Sequence, residues 1–311
     1  MADKARKATD KQLAKMERHL TEIYNRASKE LGESWKNYLS EVAKEIEPLE
    51  RAYREAKAAG DAELTKKAGR KLQAKKQEMT LLDRHYKNLS EKLAQDISAV
   101  NETAVAYING KLPEIYAINY NHVGKNIGSQ IKGISFELVD ANTVKNLATN
   151  DKTLLPYKEI NGKKDVRWNV QKVNSEVLQG ILQGESMGKI ALRLENVENM
   201  NCASSIRNAR TSVTSAENKG RMDMLHEAEE KGVVVHKVWL ATHDGRVRDS
   251  HLDLDGEERE IDEPFENVLV LSKTRVIDDE IMYPGDPNAN PANTYNCRCS
   301  LSYKVVGFKG G

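Results

Sequence analysis

The stretch Val233-Val234-Val235-His236-Lys237-Val238-Trp239-Leu240 decides the fold class. It is rich in β-branched residues, which favour strands, and turn formers bound it, so it predicts a strand. A helical pattern from about Ala203 to Lys231 precedes it and ends at Gly232, a residue type that commonly terminates helices. A last strand is predicted over Ser300 to Val306. The fold class that follows is α+β, with helices packed on a small sheet.

The first hundred residues carry two amphipathic helical stripes. Apolar residues recur every three or four positions from Leu13 to Leu49 and again from Leu64 to Val100. Pro48 and the Ala58-Ala59-Gly60 stretch interrupt or bend this pattern. Because each stripe needs a partner to cover it, we expect a long helical hairpin or coiled-coil arm over residues 1–105, used mainly for interactions.

Residues 106–164 are predicted to form a connecting segment of loops and short strands. Its periodicity is broken by five turn-forming residues, Gly110, Pro113, Gly124, Gly128 and Gly133. A second domain is then expected over residues 165–311. Helical periodicity returns at about residues 170–182, and Ser186 is predicted to cap a further helix that precedes the one beginning near Ala203.

Composition excludes several classes of protein. The 48 Lys and Arg residues nearly balance the 47 Asp and Glu residues, so the chain as a whole has no polyelectrolyte character. No apolar run approaches the length of a membrane span, and charged residues follow Met1, which argues against an export signal. Three cysteines do not make a secreted disulfide framework, and a close pair of them suggests thiols or metal ligands in a reducing compartment.

Residues 237–256 are dense in polar groups that must pair if the segment packs on the strand before it. The guanidinium of Arg248 could hold Asp244, Asp249 or a main-chain carbonyl, and His251 is expected at the same junction. Asp255-Gly256 is a hairpin signal. We therefore predict a structural polar cluster that contains Asp244, Arg248, His251, Asp255 and Gly256.

Two cysteines close this segment in Cys297-Arg298-Cys299. If the fold brings His251 near them, these three side chains could supply three ligands of a structural zinc, with His243 or Asp244 as the fourth. Such a site would stabilise a small, turn-rich subdomain. The alternative is that the thiols are buried small apolar groups and that His251 is a hydrogen-bonded structural residue.

Several of these motifs occur together in an order that resembles a known family. They are a Trp strand, Asp-x-x-Val-Arg-x-Ser-His at residues 244–251, Leu-Asp-Gly at 254–256, Pro-Gly-Asp-Pro at 284–287 and Asn-Cys-Arg-Cys at 296–299. Upstream, Ala209-Arg210-Thr211 leads to Asn218-Lys219-Gly220-Arg221. Over about residues 170–305 the chain resembles the Mu F-like head morphogenesis, or minor capsid, proteins of tailed bacteriophages.

The resemblance implies a protein present in few copies per particle, located in the virion at the portal vertex or capsid interior and made in the bacterial host cytoplasm. Its implied partners are the portal protein, the major capsid or scaffolding protein, or both, with no membrane. It implies no catalysis, and no cofactor is expected apart from the structural zinc considered above.

Two alternatives stay open. A basic helix could contact the phosphates of double-stranded DNA, which would make the chain an internal protein that accompanies the genome; it carries Lys66, Lys67, Arg70, Lys71, Lys75 and Lys76. Such a charge run is otherwise a solvated helix face. The second alternative is an ADP-ribosyltransferase-like enzyme, because Arg210-Thr211-Ser212 and Glu258-Arg259-Glu260 loosely resemble the nucleotide-binding and acceptor-orienting elements of that class.

Overall fold

Long helices dominate the chain, and short strands follow them. The computed structural model describes residues 4–79, 84–183, 185–272 and 275–309. Its helices are α1 (Lys4–Ala58), α2 (Ala62–Gln77), α3 (Arg84–Gln130), α4 (Ala141–Asn150), α5 (Gly162–Leu182), α6 (Met187–Glu230), α7 (Asp249–Asp253) and α8 (Pro291–Thr294). Its strands are β1 (Val233–Leu240), β2 (Glu258–Glu260), β3 (Phe265–Ser272), β4 (Arg275–Ile281) and β5 (Ser300–Phe308). The α+β prediction, with a long helical N-terminal region, is confirmed.

The chain forms two compact units, each built from separated segments. The helical unit contains residues 20–105 and 159–205, and the sheet unit contains residues 1–19, 106–158 and 206–311. Three of the four boundaries between them fall inside α1, α3 and α6, and the fourth lies between α4 and α5. The sequence instead predicts three consecutive domains, 1–105, 106–164 and 165–311, and that division stays a prediction about the chain.

The apolar stripes of the helical unit are buried by four helices. Its core contains Tyr38, Val42 and Ile46 from α1, Tyr86, Leu93 and Ile97 from α3, Val173, Val177 and Ile181 from α5, and Ile190, Leu194 and Val197 from α6. The expected hairpin partner is therefore only part of what covers each stripe. Pro48 lies within α1, and the helix ends instead at Ala58, before Gly60 with its positive φ of 73°.

The prediction of loops and short strands for residues 106–164 was wrong over most of that range. Helix α3 continues through Gly110 and Pro113 to Gln130, and α4 occupies residues 141–150. Ile108, Leu112 and Ile115 of α3 are fully buried in the sheet unit. This burial outweighs the weak helix propensity of the interrupting residues.

Helix α6 is one continuous element rather than the two predicted. The Oγ of Ser186 accepts a hydrogen bond from the Lys189 amide at 3.4 Å, as expected of an N-cap. No break occurs near Ala203, where the Nδ2 of the buried Asn201 donates to the Oδ1 of Asn169 and to the Val197 carbonyl one turn earlier in α6.

The sheet unit is organised around β1, as the sequence predicts. The three-stranded antiparallel sheet has the order β2-β1-β5, and β1 alternates between buried and half-buried residues over most of its length. Trp239 is fully buried, and the surrounding core includes Phe265 of β3 and Leu301 of β5. Strands β3 and β4 form a separate two-stranded sheet. The Asp255-Gly256 pair does not form a two-residue hairpin, since α7 lies between β1 and β2.

Among the described residues, no helix combines the length and the apolar character that crossing a bilayer would require.

Candidate functional site

The register of the sheet brings the two halves of the motif-rich segment together. Leu240 at the end of β1 pairs with Ser300 at the start of β5, and the two strands are antiparallel. The residues that follow β1 therefore lie beside the residues that precede β5. These are Ala241 to Asp253, including α7, and Asn296 to Cys299.

Asp244 and Arg298 form an ion pair across this junction. Both Nη atoms of Arg298 donate to the Asp244 carboxylate, and the Nη2–Oδ1 distance is 2.7 Å. Hydrogen bonding from Arg298, followed by that from the Arg246 amide, lowers the pKa of Asp244 to about 2. The sequence had offered Arg248 as a partner of Asp244; the structure pairs Asp244 with Arg298, because β1–β5 pairing places Arg298 next to it.

Arg248 binds a main-chain carbonyl, which was one of its three predicted partners. Its Nη2 donates to the Tyr295 oxygen at 2.6 Å. The next residue, Asn296, has a positive φ of 57°, and its amide donates to the Thr211 hydroxyl at 2.9 Å. Arg248 thus ties the segment after β1 to the turn before the cysteines.

Asp255 and Gly256 close the turn between α7 and β2. The Asp255 carboxylate accepts from the Ala241 amide at 2.8 Å and contacts Nε2 of His243 at 2.8 Å. The Gly256 amide donates to the Trp239 carbonyl at 2.9 Å, and its φ of 79° suits glycine. The predicted polar cluster is therefore a set of neighbouring internal contacts that hold the end of β1.

His251 lies against both cysteines. Its Nδ1 is 3.6 Å from the Sγ of Cys297 and 3.6 Å from the Sγ of Cys299. All three side chains are buried, and their potential ligand atoms lie within 4.8 Å of one another. The indole of Trp239 packs edge-on against the imidazole at 5.3 Å. The predicted triad of His251, Cys297 and Cys299 is assembled by the fold.

The two thiols have unequal acidity. Hydrogen bonding to Cys299 and burial raise the pKa of Cys297, whereas hydrogen bonding from Cys297 and from His251 lowers the pKa of Cys299. A thiolate in this position is the form that binds a soft metal ion.

Neither predicted fourth ligand joins the triad. Asp244 is held by Arg298, and the side chain of His243 is 70% exposed and paired with Asp255. Among the residues that the structure describes, the His, Cys, Asp and Glu side chains at this site are His251, Cys297 and Cys299 alone.

Helix α6 supports the cysteine segment from its other side, a role that the sequence did not reveal. The Nδ2 of Asn218 donates to the carbonyls of Pro284 and Cys299, and its Oδ1 accepts from the Leu301 amide at 2.7 Å. Arg221 donates to the Leu301 carbonyl at 3.1 Å. The sequence signal that could have indicated this role is the pair of polar residues, Asn218 and Arg221, three positions apart on a buried face of α6.

The basic residues of α2 divide into two groups. Lys66, Lys67, Arg70 and Lys71 are exposed along one face of the helix. Lys76, in contrast, is 2% exposed, with its Nζ 3.0 Å from Glu50 and 3.3 Å from the Glu185 carbonyl. Lys75 is half-buried and paired with Glu45 and Glu78. The prediction that Lys76 contacts DNA is therefore wrong, since burial and pairing occupy its charge.

The residues proposed for an ADP-ribosyltransferase site lie in separate ion pairs. Arg210 is on α6 and binds Glu17 at 2.6 Å, and Ser212 beside it is buried. Glu258 is on β2 and contacts His236 and Lys304. Arg210 and Glu258 are thus each engaged by residues outside the two motifs.

Comparison with known proteins identifies the motif-rich part of the chain. Residues 171–302 match the family described as phage Mu protein F like protein. Over 310 residues the chain is 25% identical to the minor head protein GP7 of Bacillus phage SPP1, which covers 94% of this chain and 86% of that protein. It is also 32% identical over 95 residues to the NAD(+)–arginine ADP-ribosyltransferase EFV of Enterococcus faecalis, covering 30% of this chain and 20% of that protein. No solved structure matches the chain.

Proposed function

We propose that this chain is a structural minor head protein of a tailed bacteriophage, a proposal supported by the match of residues 171–302 to the phage Mu protein F like family. The observation that carries the proposal is the similarity to a phage minor head protein along nearly the whole chain. We place it in the virion, bound to the portal or the capsid interior during head assembly and genome packaging.

The polar cluster supports a scaffolding role rather than turnover. Asp244 is hydrogen-bonded to Arg298, and Arg248 and Asp255 are hydrogen-bonded to main-chain groups of the same unit. Catalytic groups need a reacting partner within hydrogen-bond reach, whereas these side chains hold backbone segments together. The transferase match covers a fifth of that enzyme, and Arg210 and Glu258 are engaged elsewhere, so we do not extend its activity to this chain.

The two-stranded sheet of β3 and β4 supplies a surface suited to a head protein partner. Its outer face exposes Val268, Val270 and Val276, each more than half accessible. Glu266 and Glu280 lie directly opposite each other on that face, and the exposed Asp278 lies opposite Val268. Like charges in such positions repel, and an apolar patch of this kind is typical of contact surfaces. We propose that it binds an apolar strip flanked by Lys or Arg on the portal.

Replacing the three valines together by threonine is expected to weaken portal binding by about tenfold or more, or about 1.4 kcal/mol. Threonine keeps the β-branched shape, so the strands should remain folded. The measurement is co-purification of the full-length chain with the portal protein of the same phage, after co-expression.

Val306→Thr is the matched control, because Val306 is an exposed valine on β5. It should leave retention unchanged. Failure of the wild-type chain to associate with portal rings would contradict the portal proposal itself. If the triple variant were retained as well as the wild-type chain, the portal would contact a different surface of the protein.

The exposed basic face of α2 favours a second candidate function, contact with packaged DNA. Lys66, Lys67, Arg70 and Lys71 form one face because they are spaced at i, i+1, i+4 and i+5. Contacts to phosphates would release counterions and make binding strongly dependent on salt, without sequence preference.

Replacing these four residues by glutamine is expected to flatten the slope of log affinity against log salt by about 3 to 4. The measurement is a titration of duplex DNA with the full-length chain at several salt concentrations. A quadruple variant of exposed lysines elsewhere, Lys11, Lys15, Lys145 and Lys152 to glutamine, removes the same charge. Identical slopes for the two variants would refute a DNA-binding face on α2.

A further inference from the structure

The two nitrogen–sulfur distances in the triad match the corresponding edges of a tetrahedral zinc site. Zinc binds sulfur at about 2.3 Å and imidazole nitrogen at about 2.0–2.1 Å, so a nitrogen and a sulfur ligand are separated by about 3.6 Å. Nδ1 of His251 lies 3.6 Å from each of the two Sγ atoms. Both nitrogen–sulfur edges are therefore already of the length that a bound ion requires.

Hydrogen bonding alone leaves this arrangement incompletely explained. The Nδ1 atom carries either one lone pair or one proton, yet two sulfur atoms approach it at the same distance. When Nδ1 accepts, the proton is on Nε2, which is buried without a hydrogen-bond partner among the described residues. One ion between the three donor atoms would accept the nitrogen lone pair and both sulfurs at once.

The backbone around the cysteines also suits a thiolate ligand. The Cys299 amide donates to the Sγ of Cys297 at 3.4 Å. A sulfur that accepts an amide hydrogen bond is stabilised as an anion. The Arg298 side chain between the two cysteines turns away to Asp244, so it does not occupy the space between the donors.

We infer that His251, Cys297 and Cys299 bind one zinc ion, through Nδ1 and the two thiolates. The fourth position would be taken by a ligand that is not a His, Cys, Asp or Glu of the described residues. This inference stands on the geometry of the chain and not on the proposed role in the phage head.

The ion would act as a structural cross-link. His251 lies in α7, and Cys297 is 46 residues further along the chain, so the link closes a loop that contains β2, β3, β4 and α8. Closing a long loop stabilises the folded state by restricting the unfolded one. Zinc binding would also add its own free energy to folding, because the unfolded chain has no formed site.

The test is the metal content of the full-length protein, purified without a metal-binding tag from cells supplied with zinc. Elemental analysis is expected to find one zinc per chain. Cys297→Ser and His251→Asn should lose the metal, whereas Cys202→Ser should keep it, because Cys202 lies on α6 in the helical unit. Removing zinc from the wild type with a strong chelator should lower its thermal unfolding midpoint.

Cobalt provides a readout that does not depend on the variants folding. Reconstitution of the chelated wild type with Co²⁺ should give the intense ligand-field bands of a tetrahedral ion and thiolate-to-cobalt charge transfer. Zinc content well below one per chain after reconstitution, together with a cobalt spectrum lacking thiolate bands, would overturn the inference. Equal zinc content in Cys297→Ser and Cys202→Ser would overturn it as well.

Discussion

Asn218→Ala is expected to lower the free energy of unfolding by about 3–5 kcal/mol, since it leaves several buried backbone groups without partners. Asn218 is fully buried on α6 and bonds two different segments of the sheet unit. Its side-chain nitrogen donates to the Pro284 and Cys299 carbonyls, and its side-chain oxygen accepts from the Leu301 amide. Alanine removes all three hydrogen bonds at once, and its methyl side chain has no polar group to replace them.

The measurement is chemical denaturation of the full-length chain, followed by far-ultraviolet circular dichroism. The matched control is Asn142→Ala, because Asn142 is an exposed helical asparagine in the same unit. Its replacement should change the stability by less than about 0.5 kcal/mol. If the two variants unfolded at the same denaturant concentration, Asn218 would not be the link between α6 and the cysteine segment.

Asn218 also marks what local sequence patterns can reveal. The strand β1 and the α+β class were predicted, because β-branched runs and helical periodicity are local signals. The close cysteine pair was also a local signal, whereas the approach of His251 to it entered only as a condition of the zinc hypothesis. The role of Asn218 depends on which backbone groups face α6 after folding. Periodicity places the residue on a buried face, but it does not name the carbonyls that lie opposite.

The choice of ion-pair partners was beyond the sequence for the same reason. The order of residues in the sequence does not distinguish Arg248 from Arg298 as the ion-pair partner of Asp244. The antiparallel register of β1 and β5 decides the matter, because it brings Arg298 to Asp244 and leaves Arg248 beside the Tyr295 carbonyl. Likewise, the burial of Lys76 follows from the packing of α2 within the helical unit, and charge patterning alone does not disclose it.

The interrupting residues of α3 show a different kind of error. The rule that glycine and proline break helices was given too much weight there. Gly110 and Pro113 are among the residues that predict loops and short strands over 106–164, yet α3 continues through both. A glycine within a helix costs about 1 kcal/mol relative to alanine, which is small beside the burial of the apolar side chains near it. Its presence in a helix interior can instead record a close approach of another backbone.

Gly220→Ala is therefore expected to destabilise the protein by about 2–3 kcal/mol, although alanine is the better helix former. A Cβ at position 220 would lie 2.6 Å from the carbonyl oxygen of Tyr116 on α3. The carbonyl belongs to the backbone of α3, and the position of the Cβ is fixed by the backbone of α6. No side-chain rotation can therefore relieve the clash, and the two helices would have to separate. The measurement is the free energy of unfolding by denaturant titration.

Gly110→Ala is the matched control, because Gly110 lies on α3 with open space around its Cβ position. There the same substitution should stabilise the protein by about 0.5–1 kcal/mol through helix propensity alone. The two variants should thus differ in sign, and this difference separates steric contact from propensity. A stabilising Gly220→Ala would mean that α3 and α6 do not approach each other at Tyr116, and Asn218 and Arg221 on the same helix would then lack the close packing that positions them.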